Sequence, residues 1–267
     1  MERGTKGLGQ AIEMKQGRLK EAADRSGGNA FARGFAIKKQ VGCLLASSDF
    51  EQRLETLGIA PAKIISPLLG FLMETDEPAR WRAVRSVGLT VSAMAKQDLE
   101  SARDIMRRLM WSLNDESGGI GWGAPEAMGE IMAENGNLAR EYHRILVSYI
   151  DPNGNPIENE LLEQGVMWGI CRLAQKRPML LRDWTDPVIM QLKSPNPVKR
   201  GLALRILLIL SQTPENLPEP GRISPLLQPL PADVCELCTY EEGAFVRYKI
   251  SAMAKELMGW IDYFGRL

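Results

Sequence analysis

Apolar residues along the chain recur at intervals of three and four positions, the spacing that places them on one face of an α-helix. The sets are clearest in Ile64 to Leu72, Ile105 to Leu113 and Tyr142 to Tyr149. Between the apolar sets lie segments that end one helix and begin the next, such as Thr75 to Pro78 and Ser194 to Pro197. Alternating patterns typical of strands are essentially missing, so the sequence predicts an all-α protein.

A glycine inside several of these helices repeats at a nearly constant separation. Gly42, Gly88, Gly129 and Gly169 follow one another at intervals of 40 to 46 residues, among apolar neighbours. A glycine within a helix costs about 0.5–1 kcal/mol relative to alanine, so a repeated one requires a packing reason. We expect a neighbouring helix to approach closely at each glycine. A period of this length is typical of stacked helix pairs.

Two later helices continue the period without the glycine. They run from about Val198 to Ser211 and from about Phe245 to Trp260, with Ala203 and Ala252 as the small residues. The chain is therefore predicted to contain about six helix pairs. The proline-rich stretch from Thr213 to Pro231 is predicted to be an extended connection before the last helix.

The chain is predicted to form one repeat domain with a separate leading segment. Residues 1–30 are polar and weakly patterned, so we expect a mobile or loosely docked N-terminal segment. Residues 31–267 are predicted to be the repeat domain, because no polar linker long enough to separate two cores interrupts them.

One segment carries a resemblance to a known class of repeat. From Glu77 to Gly88 the chain has an acidic turn, a proline and then Arg-Ala-Val-Arg-Ser-Val-Gly. This segment resembles the bacterial HEAT-like and armadillo-type repeats. The whole chain, including Arg107 to Gly123, looks like an uncharacterised bacterial HEAT-repeat family, over about residues 31–260. The resemblance implies an α-α superhelix with an extended concave surface, and it brings no activity with it.

Composition and charge narrow the classes of function. Lys plus Arg equals Asp plus Glu, at 33 each, so net charge gives no general attraction to nucleic acid or anionic lipid. We expect no secretory signal and no membrane span, because the longest apolar segment, Leu202 to Leu210, is about half of the roughly 20 residues required. Four scattered cysteines predict reduced thiols and a cytoplasmic protein. No nucleotide-binding or cofactor motif is present, so no cofactor is expected.

The most unusual segment is the loop 114–124, which contains four glycines and a tryptophan, together with the helix that follows it. Carboxylates around the loop favour a cationic or metal ligand over an anion, and Glu126 and Glu130 share a helix face. The segment predicts a site for a ligand or partner made of Trp111, Asn114, Asp115, Glu116, Trp122, Glu126, Glu130 and His143. The alternative is a specialised turn with capping carboxylates.

A cluster of arginines provides a second candidate site. It comprises Arg80, Arg82, Arg85, Arg103, Arg107 and Arg108, which would contact phosphates if the protein bound DNA. Trp111 and Asp115 resemble the aromatic-plus-carboxylate pair of the HEAT-like alkylpurine DNA glycosylases. The alternative is a set of solvated arginines paired with nearby carboxylates.

Metal binding is a third candidate. Glu126, Glu130 and His143 could form a metal or small-molecule site, although a lone histidine is more often packed or solvated. Cys235 and Cys238 have the spacing of half a zinc site, and no second pair completes it. No residue is therefore assigned as a metal ligand.

These patterns favour a non-enzymatic scaffold that presents a concave helical surface and the loop 114–124 to a protein or peptide partner. An aromatic side chain flanked by carboxylates would suit a partner bearing arginine or lysine. DNA binding or DNA repair is the second hypothesis, and a metal or small-molecule enzyme is the third. No catalytic residue is assigned.

Overall fold

The computed structural model describes residues 34–113, 121–216 and 218–264. In these residues the chain is predominantly helical, which confirms the all-α prediction. The helices are, in order, α1 (34–45), α2 (Phe50–Thr56), α3 (Pro61–Phe71), α4 (Glu77–Gln97), α5 (Leu99–Leu113), α6 (Ala124–Glu134), α7 (Gly136–Ser148), α8 (Glu160–Lys176), α9 (Asp186–Met190), α10 (Pro197–Ser211), α11 (Pro220–Leu227) and α12 (Ile250–Phe264). Short 3-10 helices cover Pro178–Trp184, Gln191–Lys193, Pro214–Asn216 and Leu230–Ala232. Counted in consecutive pairs, the twelve α-helices of the described residues agree with the prediction of about six helix pairs.

Polar side chains fix where several helices begin. The carboxylate of Asp76 accepts a hydrogen bond from the backbone N–H of Ala79 at 3.1 Å, at the start of α4. Side-chain oxygens of Asn135, Asn159 and Asn196 accept from backbone N–H groups in the first turns of α7, α8 and α10. These caps satisfy donors that a helix start leaves without an intrahelical partner, so the pair boundaries follow from local sequence.

Four helices, α4, α6, α8 and α10, pack side by side as an inner layer. A Cβ atom built on Gly129 of α6 would lie 2.6 Å from the carbonyl oxygen of Gly169 in α8, and nearer still to its Cα. Ordinary carbon contacts are about 3.5–4.0 Å, so only glycine allows this approach. The prediction that mid-helix glycines mark close helix packing is confirmed at this pair.

Outside the inner layer lie α3, α5, α7, the 3-10 helix Pro178–Trp184, α9 and α11. The two layers share one continuous apolar core that extends from Val41 to Ile261. Helix α10 is buried from Gly201 to Ser211 except at Arg205, as expected for a helix covered on both sides. In the described part of the chain, no helix is both long and apolar enough to cross a membrane.

A β-hairpin interrupts the predicted last helix. That helix begins at Ile250 rather than near Phe245, because Ala244–Lys249 forms strand β2, which pairs antiparallel with β1, Glu236–Glu241. The two-residue turn consists of Glu242 and Gly243, with φ of 48° and 87°. Positive φ at both positions matches the turn that suits the twist of paired strands. The prediction of a helix over 245–249 was therefore wrong.

The proline-rich stretch 213–231 is also more ordered than predicted. It contains α11 and two of the short 3-10 helices instead of an extended connection. Pro220 stands in the first turn of α11, where the missing N–H of proline removes no intrahelical hydrogen bond. Prolines that seemed to exclude helix here begin helices instead.

Candidate functional site

The hairpin crosses the exposed face of the inner layer and builds an aromatic cluster there. Tyr240 of β1 stacks on Trp81 of α4, with ring centroids 5.3 Å apart and planes 8° from parallel. Trp168 of α8 lies 4.6 Å from Trp81 and donates its indole N–H to the carbonyl oxygen of Tyr240 at 3.0 Å. We call Trp81, Trp168 and Tyr240 the aromatic cluster. It connects α4 and α8 with strand β1 across the inner face.

Close contacts with α10 hold the hairpin in this position. Arg205 forms two hydrogen bonds with the carboxylate of Glu241, at 3.1 and 2.9 Å, and these bonds raise the pKa of the guanidinium. Nearer the start of β1, a Cβ atom on Gly201 would lie 2.8 Å from Cβ of Leu237. Glycine at 201 therefore allows the strand to lie directly on the helix.

On one side of the aromatic cluster is a cavity of about 470 Å³, which we call the Glu126 cavity. This volume lies within the range of about 300–1,000 Å³ typical of small-molecule sites. Its helical walls come from α4, α6, α8 and α10, and β1 and β2 complete it. Its aromatic lining consists of Trp81, Trp122, Trp168, Tyr240 and Phe245. Its charged lining residues are Glu77, Arg80 and Glu126.

Glu126, in the first turn of α6, is the buried polar group of this cavity, with 7% of its surface exposed. Its Oε1 lies 3.7 Å from a nitrogen of Arg80, which is too long for a hydrogen bond. Its Oε2 is buried and has no hydrogen-bond partner among the described residues. Burial raises the pKa of this carboxyl, although the positive charge of Arg80 opposes the rise.

A glycine of the neighbouring helix makes room for this carboxyl group. A Cβ atom on Gly165 of α8 would lie 2.7 Å from Oε2 of Glu126 and 2.8 Å from its Cδ. The carboxyl group therefore occupies space that any other residue at position 165 would fill. An unpartnered buried acceptor costs about 1–3 kcal/mol, and protonation of the carboxyl group or a donor from an ordered water or a ligand would lower this cost.

A second, smaller cavity of about 220 Å³ lies on the other side of the aromatic cluster. Here Glu130, only 2% exposed, accepts hydrogen bonds from Arg85 and from Arg172, the latter at 2.7 Å. Arg85 also pairs with Glu51 and Glu134. These carboxylates raise the pKa of the Arg85 guanidinium. Glu130 is thus saturated by protein donors, whereas Glu126 is not.

The structure brings together only some of the residues predicted for the site. Trp122 and Glu126 line the same cavity, while Glu130 lines the neighbouring one. Trp111 is 77% exposed on α5 and lines neither cavity. His143 is buried on α7, where its Nδ1 is 2.9 Å from the carbonyl oxygen of Ala139 and its ring meets the edge of Trp184. Asn114, Asp115 and Glu116 lie outside the described residues.

The arginines of the predicted nucleic-acid cluster contact acceptors of the chain itself. Arg82 donates to the carbonyl oxygen of Leu45 at 2.9 Å, and Arg108 to the hydroxyl of Ser66 at 3.3 Å. Ion pairs join the other four to carboxylates: Arg80 to Glu77 and Glu126, Arg85 to Glu51, Glu130 and Glu134, Arg103 to Glu100 and Glu141, and Arg107 to Glu100 and Asp104. These carboxylates offset the positive charge, and the DNA hypothesis stays a prediction.

In the described ranges, no group of three or more His, Cys, Asp or Glu side chains is placed to hold a metal ion. Cys235 and Cys238, whose spacing raised the possibility of a zinc site, are free thiols in the hairpin region. Cys238 contributes to the lining of the Glu126 cavity. We assign no metal ligand among these cysteines.

Sequence reasoning missed the hairpin and the aromatic cluster. The sequence prediction places Phe245 at the start of the last helix and assigns no element to Tyr240. A signal was present: Leu237 and Thr239 alternate with exposed residues before Glu242-Gly243, a two-residue turn with glycine second. Trp81 lies within the repeat segment Glu77 to Gly88, and no sequence feature indicates that it faces Tyr240.

Comparison with known sequences gives limited information. No protein-family description matches the chain. An uncharacterised protein of Archaeoglobus fulgidus is 31% identical over 135 residues, which are 51% of this chain and 60% of that protein. The match thus spans less than two thirds of the relative. Because this relative is archaeal, membership of a bacterial family stays a prediction.

Comparison with solved structures supports the fold. A computationally designed armadillo repeat protein for modular peptide recognition matches 84% of this chain and 91% of its own, with 16% identity and a TM-score of 0.50. A designed armadillo repeat protein in complex with the peptide (KR)4 matches the same shares, with 15% identity and a TM-score of 0.52. The HEAT-like superhelix predicted from the sequence is confirmed. At this identity the likeness concerns the fold alone.

Proposed function

We propose that this protein is a non-enzymatic scaffold that binds a protein or peptide partner along the inner face of its superhelix. The observation that carries the proposal is the pair of cavities on either side of the aromatic cluster, both open on that face. Repeat superhelices use the extended concave surface formed by their inner helices for binding. Tryptophan and tyrosine are the residues most enriched among those that dominate binding energy at interfaces.

Two further observations support the proposal. Leu161, 58% exposed at the start of α8, adds an apolar surface at the edge of the Glu126 cavity. A designed repeat protein of similar fold has been solved with the peptide (KR)4, which illustrates that this architecture accommodates a peptide. The proposal includes the loop 114–124 as part of the partner surface, because Trp122 and Gly123 at its described end line the cavity.

A peptide-display selection on the immobilised full chain tests the proposal. We expect the selection to enrich peptides that bind the chain. Their affinity, measured by fluorescence anisotropy, should fall at least about tenfold for Trp122→Ala, because removal of a tryptophan that dominates an interface costs about 2 kcal/mol or more of binding free energy. Trp111→Ala is the matched control, because this exposed tryptophan lines neither cavity. It should bind like the unchanged protein.

A second variant separates loss of binding from loss of folding. Leu161→Arg alters an exposed residue, so helicity and melting should stay unchanged while its bulk and charge obstruct the cavity mouth. Met179→Arg, at a position 57% exposed and away from the cavity, is its control. The proposal fails if no peptide is enriched over an empty support, or if selected peptides bind all four variants equally.

A further inference from the structure

The unpartnered oxygen of Glu126 is the feature of the inner face that the scaffold proposal leaves unexplained. The carboxyl group is buried, its Oε2 has no protein donor in the described part of the chain, and it lies against a cavity large enough for a small ligand. Glu130, one helical turn later, provides the contrast, because Arg85 and Arg172 saturate it. One buried glutamate of α6 therefore pairs within the fold, and the other lines the cavity with a carboxyl oxygen that no described donor satisfies.

The walls of the cavity add a second, independent preference. Indole and phenol rings of Trp81, Trp122, Trp168 and Tyr240 line it, and such faces attract a cation that comes within about 6 Å of a ring centroid. The chain already shows this contact internally, because the guanidinium of Arg80 lies 5.1 Å from the centroid of the Trp81 ring. An aromatic lining around an acceptor oxygen suits a flat or compact positive group.

Charge complementarity points in the same direction. Among the described lining residues, the carboxylates of Glu77 and Glu126 face one guanidinium, that of Arg80. The side chains contributed by α8 and α10 are uncharged, and β1 adds the thiol of Cys238 and the phenol of Tyr240. With both carboxyl groups ionised the lining carries one excess negative charge, which a singly charged cation would neutralise.

We propose that the Glu126 cavity binds an organic cation, a guanidinium or alkylammonium group, which donates a hydrogen bond to the carboxylate of Glu126 and lies against the aromatic rings of the lining. The proposal rests on the proposed function, since an arginine or lysine side chain of the partner would carry the cation. The same chemistry could come from a free amine, and the experiment distinguishes these sources. Gly165 maintains the site, because a side chain there would displace the carboxyl group.

The test compares probes that differ only in charge. A blocked pentapeptide Ala-Ala-Arg-Ala-Ala is titrated against its citrulline equivalent, and n-propylguanidinium against n-propylurea. Binding is followed by NMR at the indole N–H signals of the six tryptophans. Trp81, Trp122 and Trp168 line the cavity and should shift saturably, while Trp111, Trp184 and Trp260 should not.

The expected result is tighter binding of the arginine peptide than of the citrulline peptide, by about 10- to 100-fold for a hydrogen bond to a charged group. Glu126→Gln should remove this preference, and Gly165→Ala should reduce it while keeping the negative charge. Glu141→Gln, which changes a glutamate of α7 paired with Arg103, should preserve it. Equal binding of the two peptides, an unchanged preference in Glu126→Gln, or shifts confined to the other three tryptophans would overturn the proposal.

Two outcomes identify the source of the cation, and both support the site. If n-propylguanidinium shows the same preference over n-propylurea, a small free cation suffices. If only the arginine peptide shows a preference, the cation belongs to a partner side chain. Failure here is distinguishable from failure of the scaffold function. Display-selected peptides that occupy the inner face without arginine or lysine would leave the scaffold standing and remove the cation site.

Discussion

Gly129→Ala tests the close packing of the inner layer, because its new Cβ would meet backbone on the facing helix. The Cβ would lie 2.6 Å from the carbonyl oxygen and 2.8 Å from the carbonyl carbon of Gly169. Neither atom can rotate away as a side chain would. Helices α6 and α8 would have to separate by roughly 1 Å to restore ordinary contacts of about 3.5 Å, and a gap of that size forfeits a quarter to a half of the dispersion attraction at each contact.

The magnitude follows from two opposing effects. Overpacking a well-packed core costs about 1–3 kcal/mol, and more where backbone must move. Replacing a helical glycine by alanine recovers about 1 kcal/mol. Because the new contact is with backbone, we take the cost at the upper end of its range, and we expect Gly129→Ala to lower the free energy of unfolding by about 2 kcal/mol net and Tm by about 4–8 °C.

The same substitution at Gly259 is the matched control. This glycine also lies within a helix, α12, but no atom lies within 4 Å of the position that its Cβ would take. Gly259→Ala should therefore stabilise the protein by about 0.4–1 kcal/mol. Both variants are compared by urea unfolding and by thermal melting followed by circular dichroism. Equal effects of the two substitutions, or stabilisation by Gly129→Ala, would refute the packing account.

Three further predictions concern single groups. Because burial raises the pKa of Glu126, the folded protein retains this proton more strongly than the unfolded chain, so stability should fall as pH rises above the ordinary value of about 4.5. The difference in stability between Glu126→Gln and the unchanged protein, measured by urea unfolding, should therefore grow with pH. A difference that stays constant with pH would contradict this. Tyr240→Ala should lower the free energy of unfolding by about 3 kcal/mol, because it deletes a buried aromatic ring. Tyr240→Phe should leave it almost unchanged, because it removes only a buried hydroxyl that has no partner in the described residues. Equal losses of stability for the two variants would exclude the stacking role. Burial raises the pKa of Cys171 to about 12, so this thiol should react only after unfolding. In the folded protein at pH 8, a thiol reagent should modify the exposed Cys43 and Cys238. Peptide mass spectrometry that shows early modification of Cys171 would contradict its burial.

Much of the helical stack could be predicted from the sequence, because its energetic cause leaves a local trace. A glycine inside a helix is unfavourable unless something approaches closely, and Gly129 with Gly169 is such an approach. Helix starts could be predicted too, since Asp76 and Asn196 occupy capping positions. The hairpin was missed because a six-residue strand has a weaker signal than a sustained helical period, which was extended through Phe245.

The site could be predicted only in part, because proximity along the chain does not fix which layer a side chain reaches. Trp122 lies two residues before α6 and Glu126 lies in its first turn, and both line one cavity. Trp111 lies on α5 and His143 on α7, and these helices belong to the outer layer. Tyr240 contacts Trp81 although it lies about 160 residues later in the chain, because the hairpin folds back across the inner layer. No local pattern encodes that contact.

A crystal structure of the chain with its tightest display-selected peptide tests the central claim most directly. The account predicts that the peptide lies along the inner face, with an arginine or lysine nitrogen within hydrogen-bond distance of the carboxylate of Glu126 and beside the aromatic rings of the lining. A peptide bound to the outer helices, with the Glu126 cavity empty, would contradict it.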